Sequence, residues 1–306
     1  MERTEQKWDW QRWFQTGGLK QEASPTLVMP TPPEPVRIGL ALGGGFARGV
    51  AHVGILRVLE ENNIPLHCIT GVSAGAICAA AYASGAPLDE IGRVGCAMRF
   101  NDVARWSICK LGLAGSERMT RFLRRLLKNF NFEDMKIPLG VVATELTTGQ
   151  AVLFRDKGDV SIAIRASCSY PGLFQPVRHQ DRLLVDGAMS MEVPALLARL
   201  MGATHVISAV IPIQASVVEP HNMLEVVNRC FQIMQSRTED SWRKHSSLVI
   251  EPDVAHIPWD GFDTGEKMIE AGEAAANMAL PEILEWLGRG AGVGMPRAVE
   301  QRESVA

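Results

Sequence analysis

Val36-Arg37-Ile38-Gly39-Leu40-Ala41-Leu42 runs directly into Gly43-Gly44-Gly45-Phe46-Ala47-Arg48-Gly49 and then into helical text from Arg48 to Asn62. A short, nearly continuous apolar run followed by a glycine turn and a helical period reads as a buried strand feeding a crossover helix. Working outward, the same alternation recurs. Strands are expected at Cys68 to Gly71, Leu139 to Thr144, Ala151 to Phe154, Leu183 to Val185 and His205 to Val210. Helices are expected at Ser73 to Ser84, Leu88 to Met98, Glu117 to Leu127, Val160 to Ser167, Pro194 to Leu200 and Met223 to Lys244. This alternation predicts an α/β fold, a three-layer α/β/α sandwich around a mostly parallel sheet.

The chain has 306 residues, 46% apolar and 21% charged, so a large core is available. Thirty-one Lys and Arg face 34 Asp and Glu, a net charge of −3, which leaves no basic excess for a dedicated nucleic-acid surface. The six cysteines lie at least ten positions apart, so no close zinc-ligand pair or two-residue redox motif can be drawn; the Ser-based chemistry read below requires no metal, and no cofactor is expected. They read as buried free thiols.

Residues 1–35 form an aromatic and Pro-rich arm, 36–288 the folded domain, and 289–306 a polar tail expected to be disordered. On the arm, Trp10, Trp13 and Phe14 share one helical face, which either packs on the protein or docks at a membrane interface. The opening residues lack the apolar centre of a secretory signal, and no window reaches the roughly 18 apolar residues of a membrane span. A cytoplasmic location is expected, with any membrane contact peripheral at the inner face. On the helix 223–244, Met223, Val226, Val227, Cys230, Phe231 and Met234 form a stripe read as core. The stretch Arg99 to Gly115, with Phe100, Trp106 and Ile108, reads as a lid or interfacial loop, or as a packed connection.

Three motifs carry chemistry. Gly43, Gly44 and Gly45 sit between a strand and a helix, where converging N–H groups seat an anion: either a bound phosphate, as in a nucleotide loop, or a transient oxyanion. Gly71-Val72-Ser73-Ala74-Gly75 follows a strand and opens an alanine-rich helix, the pattern of a nucleophile elbow, with tiny neighbours exposing the serine hydroxyl. A serine needs a base. None of the seven histidines sits in text that aims it at Ser73, whereas Asp186, followed by Gly187 and Ala188, leaves the carboxyl end of a strand as Ser73 does.

This ordered set, with Ala51-His52-Val53-Gly54-Ile55-Leu56, Tyr82-Ala83-Ser84-Gly85 and Pro171-Gly172-Leu173-Phe174-Gln175-Pro176-Val177, resembles the patatin-like phospholipase family, in its bacterial branch related to neuropathy target esterase. The resemblance implies a patatin-like catalytic domain and a serine esterase acting on lipid acyl esters through a Ser-Asp dyad without a catalytic histidine. Ser73 would be the nucleophile and Asp186 the base. Gly43, Gly44 and Gly45 would supply oxyanion donors, and Arg48 would fix the loop or add positive potential. Phe46 stands where the family commonly has a fourth glycine, and either narrows the oxyanion loop or walls the acyl pocket. Glu192 stands where an asparagine often precedes Val193-Pro194, in the support of the aspartate loop. The alternatives are a lipid-binding or scaffold protein with a spent site, and a nucleotide-binding module using the glycine loop.

Overall fold

The computed structural model describes residues 35–289 apart from 213–218, 259–260 and 262; the expectations for the arm and the polar tail fall largely outside these residues. The strands are β1 (Ile38–Leu42), β2 (Leu66–Gly71), β3 (Arg105–Cys109), β4 (Gly112–Gly115), β5 (Leu139–Glu145), β6 (Ala151–Phe154), β7 (Val177–His179), β8 (Arg182–Asp186), β9 (His205–Ala209) and β10 (Leu248–Ile250). Eight of them form one sheet in the order β10-β9-β1-β2-β5-β8-β7, with β6 also on β5. The run from β10 to β5 is parallel, and β6, β7 and β8 are added antiparallel.

β1 explains why the sheet has a layer on each side. Successive side chains of a strand point to opposite faces. Ile38, Leu40 and Leu42 therefore enter one core with the helices Ala51–Glu61, Ala74–Ala83 and Gly265–Trp286. Ala41 enters the other core with Ala195, Ala198 and Val206, and Gly39 leaves room for Ala198 and Ala203. The fold is thus α/β with a mostly parallel central sheet.

One detail of the sheet positions the site. β6 pairs with one edge of β5 from Val141 to Thr144, and the other edge is shared. β2 ends there with Gly71 opposite Val141, while antiparallel β8 arrives from the other direction and ends with Asp186 opposite Ala143. The carboxyl ends of β2 and β8 therefore meet two residues apart on one edge.

Several elements differ from expectation. The helix expected from Arg48 begins as a 3-10 turn, Phe46–Val50, before Ala51–Glu61, because the chain first leaves the glycine loop through Phe46 at φ 51. The stretch read as a loop at Arg99 to Gly115 contains the helix Phe100–Val103 and the β3–β4 hairpin. β7 and β10, of three residues each, are too short to show a period. The last helix, Gly265–Trp286, for which no expectation was stated above, carries Pro281 inside it. The stripe on Met223–Arg243 is not core: Met223, Val226 and Cys230 are exposed, Val227, Phe231 and Met234 half-buried, and Trp242 is the buried residue of this helix. Its inner side faces a cavity rather than a packed layer. Cys230 is accordingly an exposed thiol, whereas Cys68, Cys78 and Cys168 are buried.

Candidate active site

The site starts at the turn after β2. Ser73 caps the helix Ala74–Ala83 with φ 52 and ψ −125, a sparsely populated conformation costing about 1–3 kcal/mol that surrounding contacts must hold. Val72 N–H donates to Leu42 O at 3.1 Å, and Ser73 N–H donates to Ser167 Oγ at 2.8 Å. Gly75 lets the helix press on the end of β1, since a Cβ there would stand 2.4 Å from the carbonyl oxygens of Leu42 and Gly43. Gly71 closes β2. The result projects the Ser73 hydroxyl beyond the sheet.

Asp186 approaches from the facing strand end. Ser73 Oγ donates to Asp186 Oδ2 at 2.8 Å, and Oδ1 accepts from Ala188 N–H at 3.0 Å. Asp186 is 1% exposed. Burial raises its carboxyl to about 7, and the Ala188 and Ser73 hydrogen bonds oppose that rise. Gly187 opens the 3-10 turn that carries the chain away. Thr144 secures this loop, donating from Oγ1 to Asp186 O at 2.9 Å and sharing a 2.8 Å hydrogen bond with Ser190 Oγ. Glu192 does not support the aspartate: it accepts from Trp242 Nε1 at 3.2 Å, and burial raises its carboxyl.

The glycine loop lies against the serine, with a Cβ on Gly44 falling 3.4 Å from Ser73 Cβ. Its three glycines are not equivalent. Gly43 N–H continues the sheet and donates to Ala209 O at 2.9 Å, so Gly43 is not a free donor, which corrects the expectation of three. Among the described residues, the N–H groups of Gly44 and Gly45 meet no acceptor. Arg48 is buried and donates from Nη1 to Pro212 O at 3.2 Å, tying the loop to the chain beyond β9. Among the described residues its Nε has no partner, and burial lowers its guanidinium from the ordinary value.

His52 has a supporting place that no sequence pattern signalled. Fully buried, its Nε2 lies 2.9 Å from Gly43 O; since a carbonyl only accepts, Nε2 carries the proton and donates. Burial lowers the imidazole to about 4, so it is neutral near pH 7 and steadies the loop without adding charge. Ser167 and Thr144 were likewise invisible as isolated residues.

Ser73 and Asp186 open into a 60 Å³ cavity also lined by Gly44, Gly45, Arg48 and Tyr170. The helix Met223–Arg243 roofs it with Asn228, Phe231, Gln232 and Gln235. Tyr170 links roof to floor: its hydroxyl donates to Asn228 Oδ1 at 3.0 Å, and its ring meets Phe231 and Phe46, each at 5.0 Å. Phe46 is a wall, lining this cavity on one side and, on the other, an apolar groove formed with Val53, Ile77, Ile91, Met98 and Phe122.

Fold and site together define a class: α/β proteins in which a serine on a strand-to-helix elbow faces a buried carboxylate beside a glycine loop. A model of the patatin-like phospholipase family matches residues 40–199, just over half of the sequence, and the chain belongs to this family. An uncharacterized NTE family protein of Mycobacterium bovis is 29% identical over 272 residues, covering 79% of this chain and 46% of the relative. Another from the same organism is 34% identical over 161 residues, covering 52% and 44%. A patatin-like phospholipase domain-containing protein of Caenorhabditis elegans is 34% identical over 180 residues, covering 56% and 13%. The chain thus spans less than half the length of these curated relatives. The crystal structure of VipD from Legionella pneumophila shares the fold, with a TM-score of 0.54 at 13% identity over 82% of this chain and 68% of VipD. Among the described residues, no helix is long and apolar enough to cross a membrane.

Proposed function

We propose that this chain is a serine acyl hydrolase, an esterase or phospholipase that cleaves fatty-acyl esters of lipids. The observation that carries this reading is the 2.8 Å hydrogen bond from Ser73 Oγ to Asp186 Oδ2, beside two unoccupied peptide N–H groups. Asp186 accepts the Ser73 proton as Oγ bonds to the ester carbonyl carbon, and the carbonyl electron pair moves onto oxygen. That oxyanion is held by the N–H groups of Gly44 and Gly45 and by the positive end of the helix Ala74–Ala83. Collapse breaks the ester C–O bond and leaves an acyl-Ser73, while the proton on Asp186 passes to the departing alkoxide. Water, deprotonated by Asp186, then attacks the acyl carbon; the Ser73 Oγ–C bond breaks, the fatty acid leaves, and the proton on Asp186 returns to Ser73 Oγ.

The electrostatics fit these roles. A carboxyl raised to about 7 is a stronger base than one near 4, yet remains ionised in a useful fraction at neutral pH. Each oxyanion donor is worth roughly 3 to 4 kcal/mol in hydrolases, so the peptides of the glycine loop matter nearly as much as the nucleophile. The carboxyls of Asp186 and Glu192 both face the cavity, which disfavours a resident phosphate and with it the nucleotide-binding alternative. A 60 Å³ cavity takes the ester group but not a long chain; a 280 Å³ space under the helix Met223–Arg243 shares Glu192, Ile211, Gln232 and Gln235 with it, and a 40 Å³ apolar groove adjoins it at Phe46.

Fluorophosphonate labelling of the full chain tests this reading. Wild type is expected to label and Ser73→Ala to remain unlabelled; a folded wild type that stays unlabelled would favour the lipid-binding scaffold.

A further inference from the structure

We propose that the face bearing Arg93, Arg118, Arg121 and Arg125 docks on bilayers containing anionic phospholipids. The proposal rests on the lipid-hydrolase reading for its purpose but not for its geometry.

The helix Glu117–Leu126 buries Met119, Leu123 and Leu126, and turns Arg118, Arg121 and Arg125 outward. Arg93 faces them from the helix Leu88–Ala97, across a cleft of 430 Å³. In a chain of net charge −3 this is a local reversal of sign. Arg118 is held in place by the carbonyls of Asn101 at 2.9 Å and Ala104 at 3.4 Å. No carboxylate among the described residues forms an ion pair with Arg93, Arg121 or Arg125. Asp102, the one carboxylate lining the cleft among the described residues, accepts from the Arg99 backbone N–H at 2.8 Å. The arginines are therefore available to phosphates at the mouth.

Two apolar features favour a lipid surface over a nucleic acid or an acidic protein. Met98 and Phe122 line the cleft and also the apolar groove, whose far end is Phe46, the wall between the groove and the Ser73 cavity, so the basic mouth adjoins an apolar space on the serine side of the molecule. Beside Arg118, the β3–β4 hairpin exposes Trp106 at 57% and Leu111 at 60%, anchored by the Trp106 ring on Phe100 at 5.1 Å. An exposed Trp next to a basic cluster suits the headgroup boundary of a bilayer, where the ring is comfortable and the guanidinium groups meet phosphates.

Vesicle flotation of the full chain carrying Ser73→Ala measures this without hydrolysis. The parent is expected to float with phosphatidylcholine–phosphatidylglycerol vesicles in a three-to-one ratio at low ionic strength. Combined Arg93→Gln, Arg121→Gln and Arg125→Gln should weaken partition by about 100-fold. Combined Trp106→Ala and Leu111→Ala is expected to weaken it by about tenfold. Thermal melting verifies that these exposed-residue variants are folded. The proposal is overturned if the triple variant floats like its parent, or if the parent binds pure phosphatidylcholine equally well. It is also overturned if inorganic phosphate, at matched ionic strength, displaces the vesicles, which would mark a site for soluble phosphate. Because Ser73 is absent from the assay, loss of fluorophosphonate labelling sinks the catalytic reading alone, and an unaffected triple variant sinks this one alone.

Discussion

Below the Ser73 hydroxyl, all five residues of β1 are buried, and the last four of β2 with them; above it, the 21-residue helix Met223–Arg243 has Trp242 as its buried residue. The floor is held by parallel ladders and two packed cores. The roof is held at its rim, by Tyr170 on Asn228 and Phe231 and by Glu192 on Trp242. Segments with few buried apolar contacts open at lower free energy than a packed core. The comparison separates two regions: the floor keeps hydroxyl, carboxylate and peptide donors in register, while the roof, with fewer buried contacts, is the part expected to give way first.

The largest effects are expected at the floor. Ser73→Ala and Asp186→Asn should each lower ester turnover by about 10⁴-fold or more. Asp186→Asn also tests the cost of the buried carboxylate. Its pKa is about 7 in the folded chain and about 3.9 unfolded. Between those values the folded state keeps a proton that the unfolded state has lost, so this group's contribution to stability falls as pH rises through that window. Above neutrality the inactive Asp186→Asn protein is therefore expected to melt at a higher temperature than wild type; an equal or lower melting temperature would mean that burial costs the carboxylate little.

Next comes a pure packing test. Gly75→Ala places a methyl 2.4 Å from two backbone oxygens that cannot withdraw, and about 3 kcal/mol of stability should be lost in a denaturant titration. Truncation at the exposed roof position Arg237→Ala should change stability by less than about 0.5 kcal/mol. Equal losses at the two positions would erase the distinction between floor and roof.

Smaller again is the pH dependence. On the proposed mechanism Asp186 is ionised when it accepts a proton, so kcat/KM should fall about tenfold per pH unit below about 7 and level off above it. A flat profile down to acidic pH would remove Asp186 as the titrating base. The smallest effect is expected at the roof and wall: Phe231→Ala loses one ring contact with Tyr170, about 1 kcal/mol, and should favour bulkier esters several-fold. Phe46→Ala joins the two cavities it divides and should shift preference toward longer acyl chains, read as the ratio of long-chain to short-chain kcat/KM.

The elements that lay plainly in the text were contiguous ones. β1 with its glycine loop, β2 with its elbow, and β8 with Asp186 at its end each declare themselves within about ten residues, because burial on both faces, positive φ and a sharp turn leave local marks. The stripe on Met223–Arg243 announced an apolar side but not what that side faces, since a helical period is the same over a core or a cavity. Gly43 looked like its two neighbours; whether its N–H is free depends on Ala209, on a strand far along the chain. His52, Ser167 and Thr144 act through single long-range hydrogen bonds that leave no periodic trace.

Amino-acid order alone settled the α/β alternation, the family, and which hydroxyl and carboxylate stand at strand ends, because those follow from residue type and short-range spacing. The meeting of Ser73 with Asp186 came from the pairing of β2 and β8 on one edge of β5, and the count of free donors from where Ala209 ends its strand. Hydrogen bonds between distant segments exist only once the sheet has assembled, so they belong to the folded chain and not to any stretch of its text.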